Sequence, residues 1–129
     1  MAILTDENYV DKAEKAILQL RKKNDEFFLT TSQIRNILSL TSSISDKSNV
    51  RNFEELNSDL SYLRVRLVYQ SRRNEIRFRG EKIYPVEDLL LQSDLLEALK
   101  EVKDKVSLQR FCRYMEALVA YFKFYGGKD

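Results

Sequence analysis

The sequence predicts an all-α protein, a compact five- to six-helix bundle with at most one short β-hairpin around residues 75–84. Three observations carry that reading. The 129 residues include three glycines and one proline, so few positions interrupt a helix. Charged residues make up 33% and hydrophobic residues 43%, the balance of a helix-rich globular chain. Apolar residues also recur at spacings of three and four over several long segments. A chain of this length suits one domain, 1–129, which buries about two thirds of its unfolded surface without a disulfide or a metal.

The first helix is expected to open at Thr5, with Asp6 and Glu7 in its first turn and Arg21 to Lys23 at its end, charges that complement the helix dipole. Tyr9, Ala13, Ala16, Ile17 and Leu20 make its apolar stripe. The second helix is signalled by LTTSQIRNIL, residues 29–38. With Thr30 as N-cap, its hydroxyl accepts from the Gln33 amide, Gln33 reaches back, and Leu29 packs on Ile34. This helix runs to about Ser45, where the serine-rich TSSISDKSN is expected to fray it.

Between Asn52 and Arg73, Phe53, Leu56, Leu60, Leu63 and Leu67 form one stripe of a third helix. Arg51, Tyr62, Arg66, Tyr69 and Arg73 project from its other side. EIRFRGEKIY, within Asn74–Tyr84, alternates apolar and charged residues around Gly80, as a short hairpin would. Pro85 suits the first turn of the next helix, which extends to about Asp104 with a break at Ser93. Val106 and Ser107 then suggest a second staple and cap, with Phe111 as the stapled residue. The last helix runs to Tyr125, followed by Gly126 as its C′ residue. Its core stripe is Leu108, Phe111, Cys112, Met115, Leu118, Val119 and Phe122. Tyr114, Ala117, Tyr121 and Phe124 form a second apolar face, so this helix is either central in the bundle or meets another subunit through those four residues.

The residue inventory argues against catalysis. Histidine is absent, which removes the commonest general base and metal ligand. The lone Cys112 makes neither a thiol protease nor a zinc site, and it lies on an apolar stripe where cysteine acts as a small hydrophobe. No GxxxxGK[ST] or GxGxxG loop occurs. Glu55 and Asp59 share a helix face, but acids at that spacing generally form a solvated surface. No cofactor or metal is expected. MAILTDENYV lacks a signal-peptide pattern, and no run approaches the roughly 20 apolar residues that span a bilayer, so a cytoplasmic chain without membrane contact is expected.

Binding remains. The net charge is only +2, but seven basic residues and two acids fall between Arg64 and Lys82. Arginine interleaved with tyrosine suits nucleic acid, because guanidinium groups pair with phosphates and aromatic rings stack on unpaired bases. Arg35, one turn into a helix that starts with free amides, sits where an anion can dock. Arg64 lies beside the core stripe, and a half-buried pair with Glu116 is a structural alternative for it.

These stretches, LTTSQIRNILSL, DLSYLRVRLVYQSRR and ALKEVKDKVSLQRFCRYMEALVAYFKFYGG, together resemble the small subunit of the type III-A CRISPR-Cas effector, the Csm complex. The resemblance covers nearly the whole chain in the same order, and ALVAYFKFYGG and TTSQIR are its most specific parts. It implies a non-catalytic helical bundle that stacks as a filament with other copies of itself along the crRNA-bearing backbone. Its implied partners are crRNA, target single-stranded RNA, and the backbone and large subunits of the complex. By position it points to Arg35, Arg64, Arg66 and Arg73 as RNA contacts, with Arg110 and Arg113 behind them, and Arg72 beside Arg73 in the basic segment is counted as an RNA contact too. Arg77 and Arg79 lie in a segment longer than the family pattern and receive no role from it. Two alternatives stand beside this reading. One is a winged helix-turn-helix DNA-binding regulator, with LTTSQIRNIL as the motif helix and EIRFRGEKIY as the wing. The other is an adaptor that touches only protein.

Overall fold

The computed structural model describes residues 2–129. Among them are six α-helices and two antiparallel hairpins: α1 (Tyr9–Leu18), β1 (Lys22–Lys23), β2 (Glu26–Phe27), α2 (Thr31–Ser48), α3 (Asn57–Ser71), β3 (Ile76–Phe78), β4 (Glu81–Ile83), α4 (Pro85–Ser93), α5 (Leu95–Lys100) and α6 (Lys105–Phe124). A 3-10 turn, Phe53–Leu56, leads into α3. The mostly helical class is as the sequence indicates.

Thr5 caps a turn rather than the helix itself. Its amide donates to Asn8 Oδ1 at 2.7 Å and its hydroxyl accepts from the Asn8 amide at 3.1 Å, and regular α-helix begins at Tyr9. The capping box of α2 is present with Thr30 and Gln33 in both directions, and Leu29 and Ile34 are both buried in the core. The serine-rich stretch does not fray: α2 continues to Ser48. Thr41 and Ser48 send their hydroxyls back to the carbonyls of Leu38 and Ser45, and Ile44 is buried, so packing overrides weak propensity.

A helix break at Asp94, in the left-handed conformation (φ 54°), separates α4 from α5. The cap of α6 also differs from expectation. Asp104 is the N-cap, Ser107 is the third helical residue and returns the hydrogen bond, and Val106 is 63% exposed, so no staple joins it to Phe111. At the other end Gly126 (φ 100°) and the Gly127 amide bonding to the Phe122 carbonyl at 2.8 Å complete a Schellman stop.

Helix α6 packs most extensively on α1 and α2, while α4 bridges α1 to α3. Core side chains from all six helices form one cluster. Tyr114 is 1% exposed and its hydroxyl donates to the Ser93 carbonyl at 2.7 Å, the carbonyl left free where α4 stops. The expectation of Tyr114 as an interface residue is therefore corrected. The N-terminal part of the second face is central in the bundle, Ala117 and Tyr121 are half-buried against the core, and only Phe124, 75% exposed, faces outward.

Candidate nucleic-acid interface

Helix α3 lies at the edge of the bundle and buries only a narrow stripe, Leu63, Leu67, Gln70 and Ser71. At 100° per residue, Tyr62, Arg66 and Tyr69 fall within an arc of about 60° on another side, and Arg73 lies two residues beyond the last turn of α3. All four are exposed, and the Arg66 guanidinium lies 5.7 Å from the centre of the Tyr62 ring. Neither Arg66 nor Arg73 forms an ion pair among the described residues. A ring positions a cation without cancelling its charge, so the strip stays positive.

The row ends at the start of α2. Gln70, Arg73, Asn74 and Val86 share a polar depression of about 310 Å³ with Ser32, Gln33 and Asn36 of the first turn of α2. Arg35 is exposed on the same stretch of α2 but does not line the depression.

The remaining candidates go elsewhere. Arg72 points to α4, bonding Glu87 at 2.5 Å with its guanidinium 4.4 Å from the centre of the Tyr84 ring, and the hydrogen bond to Glu87 raises its pKa. Arg110 bonds Asp6 at 2.9 Å and ties α6 to the N-terminal turn. Both side chains are engaged in the fold by ion pairs. Arg113 is exposed on α6, which packs on α1 and α2 and not on the strip. Arg64 is exposed too, and it lines a depression of about 300 Å³ with Leu99, Lys100 and Val102 at the end of α5. It makes no pair with Glu116, and the half-buried alternative for it is set aside.

The paired carboxylates are spent on structure: Asp59 holds Lys47 at 2.9 Å and Glu55 belongs to the capping box on Asn52. Among the described residues no cluster of metal-ligand side chains occurs, and no helix is long and apolar enough to cross a membrane. Burial pushes the Cys112 thiol up to about 11, and its sulfur lies against the Thr41 carbonyl.

Sequence reasoning missed an apolar surface. Val65 (60% exposed) and Val68 (52%) sit on a third side of α3, beside Leu91 (66%) of α4. Val68 and Leu91 flank a groove of about 210 Å³ lined also by Leu90 and Leu96 and edged by Glu87, Asp94 and Glu97. Helical periodicity picks out the strongest apolar stripe, and two valines off that stripe give no signal of their own.

A small, mostly helical bundle with exposed cations along its outer helix and uncovered apolar side chains offers surface suited to partners. The family model described as Csm2 Type III-A matches residues 5–128. A Streptococcus thermophilus protein called CRISPR system Cms protein Csm2 is 62% identical over 130 residues, all of both chains. A Mycobacterium tuberculosis protein of the same name is 41% identical over 134 residues, covering 100% of this chain and 99% of that one. An Enterococcus italicus namesake is 38% identical over 102 residues, 75% of this chain and 68% of its own. The chain belongs to the Csm2 family, the small subunit of the type III-A Csm complex.

Proposed function

We propose that this subunit is a non-catalytic, cytoplasmic RNA-binding element that stacks with its own copies along the crRNA backbone of the effector and helps hold target RNA during antiviral defence. The observation that carries the reading is the exposed row Tyr62, Arg66 and Tyr69 on the outside of α3 with Arg73 just past its end, both arginines unpaired among the described residues, and beside Arg73 the start of α2, which bears the exposed Arg35. Arg64, and Arg113 on α6 away from the strip, are further exposed cations that can meet other stretches of the same RNA. Phe124 with its aromatic neighbours Tyr121 and Tyr125, together with Val65, Val68 and Leu91, supplies apolar surface for sister copies and for the backbone and large subunits.

The test is the salt dependence of RNA binding. Contact with about four phosphates of a single strand gives a log–log slope of about −3. The double variant Arg66→Ala/Arg73→Ala removes two of them, so the slope flattens by about 1.4 with the melting temperature unchanged. An unchanged slope would favour the adaptor that touches only protein. The family places the chain in a CRISPR system rather than among DNA-binding regulators, and tight, specific binding to palindromic duplex DNA would reverse that judgement.

A further inference from the structure

The segment that carries Arg77 and Arg79 does not stand alone. Its hairpin, β3–β4, packs beside β1–β2: the rings of Phe28 and Phe78 meet edge-on at 5.5 Å, and Arg21 pairs with Glu81 at 2.7 Å. Between the hairpins runs a groove of about 240 Å³ lined by the charged Lys23, Glu26 and Arg77 and the apolar Phe27, Phe28, Ile76 and Phe78.

Two features mark this surface as more than a structural join. First, three of its four acids, all but Asp25 at the β1–β2 turn, lie beside cations, and several cations have no acid beside them. Glu81 holds Arg21, Glu26 holds Lys128, and Glu75 lies at 3.9–4.0 Å from both Arg77 and Lys82. Lys22, Lys23 and Arg79 have no carboxylate partner among the described residues and rest over aromatic rings, at 4.8 Å from Phe27 and at 5.1 Å each from Phe78. Those rings fix the cations and leave their charge available.

Second, the two turns are built differently. Both place two successive residues at positive φ, as a two-residue hairpin of the mirror-image type requires. In β1–β2 these are Asn24 and Asp25, residue types that adopt this conformation readily. In β3–β4 the first is Arg79, at φ 53°, where glycine, asparagine or aspartate would fold at lower cost. Strain retained at a turn tip that carries an unpaired guanidinium points to a use outside the fold.

We propose that the twin hairpins form a second seat for the phosphate backbone of single-stranded RNA, with Lys22, Lys23 and Arg79 as its sequence-independent contacts. For the class of its ligand this rests on the reading above, but it uses a different surface. Arg73 and Ile76 are three residues apart, at most about 11 Å of chain, so a strand leaving the α3 row can reach it.

The decisive experiment is ultraviolet cross-linking of the assembled complex, carrying guide and target RNA, with the linked peptides identified by mass spectrometry. It is paired with the salt dependence of target binding for Lys22→Ala/Lys23→Ala/Arg79→Asn. Asparagine keeps the left-handed turn, so the single variant Arg79→Asn holds or raises the melting temperature. RNA links on the peptides bearing Lys22, Lys23 or Arg79 are expected, with a salt slope flattened by about 2 for three lost contacts. RNA links confined to α3 with an unchanged slope would overturn the proposal. So would carboxylate-selective links from Lys22 or Lys23 to a neighbouring protein in place of RNA. If the hairpin variant loses target affinity while Arg66→Ala/Arg73→Ala retains it, the hairpin seat stands and the α3 strip fails; the reverse result removes the hairpin seat alone.

Discussion

Tyr114 shows how one side chain settles between two uses. A tyrosine on a second apolar face suits an interface as well as a core, and sequence periodicity cannot separate them. The break after Ser93 decides, because it frees a buried carbonyl that the phenol satisfies. Burial also raises the pKa of that phenol. Tyr114→Phe should therefore destabilise the fold by about 1–2 kcal/mol in chemical denaturation, since it strands the carbonyl and leaves the ring in place. Cys112, its thiol pushed up to about 11 by burial, stays protonated at neutral pH. Iodoacetamide at pH 8 should label it only after denaturation, as mass spectrometry of native and unfolded protein would show. Gly127 is fixed by space: a Cβ there would run into the Phe122 ring. Gly127→Ala should cost about 1–3 kcal/mol, read as a lowered melting temperature.

At the scale of elements, boundaries with a chemical device were the most legible. Thr30 with Gln33, Pro85 and Gly126 act as their residue types indicate. Thr30→Ala should lose about 1 kcal/mol, measured by urea unfolding. The cap of α6 was misread by three residues because Asp104 and Ser107 both suit an N-cap, and the structure uses them as the two halves of one box. The backbone amide of Ser107, and then its hydroxyl, hold the Asp104 carboxyl below its ordinary range. A folded value below the unfolded one stabilises at neutral pH, and that contribution is lost as pH falls through the folded value. Asp104→Asn keeps a cap without a titrating group, so the loss of stability below about pH 4 should be shallower in that variant. The β1–β2 hairpin was not legible because two-residue strands offer no alternation, and its only signal was the pair Asn24–Asp25. The β3–β4 hairpin, one residue longer in each strand and centred on glycine, was visible.

For the whole molecule, the helical class and the basic strip could be read from the sequence, while the gathering of its parts could not. Arg66 shares a row with Tyr62 and Tyr69 through helical spacing, but Arg73 lies past the end of α3 and meets the start of α2, which bears Arg35, only through the fold. Arg72 and Arg110 look like equals of those residues in the sequence, and partners from distant segments, Glu87 and Asp6, draw them into the fold. Charge composition reports how many cations a segment holds, and tertiary contacts decide which remain free. The account therefore rests on the outer row of α3 acting on RNA and not on assembly. The most direct measurement compares complexes purified with tagged wild-type chain and with Arg66→Ala/Arg73→Ala, scoring mass, guide RNA content and affinity for target RNA at about 0.15 M salt, where phosphate contacts still contribute. The expected result is an assembly of the same mass and guide content whose target affinity falls at least about tenfold, equivalent to about 1.4 kcal/mol. Equal target affinity in an intact variant complex would contradict it.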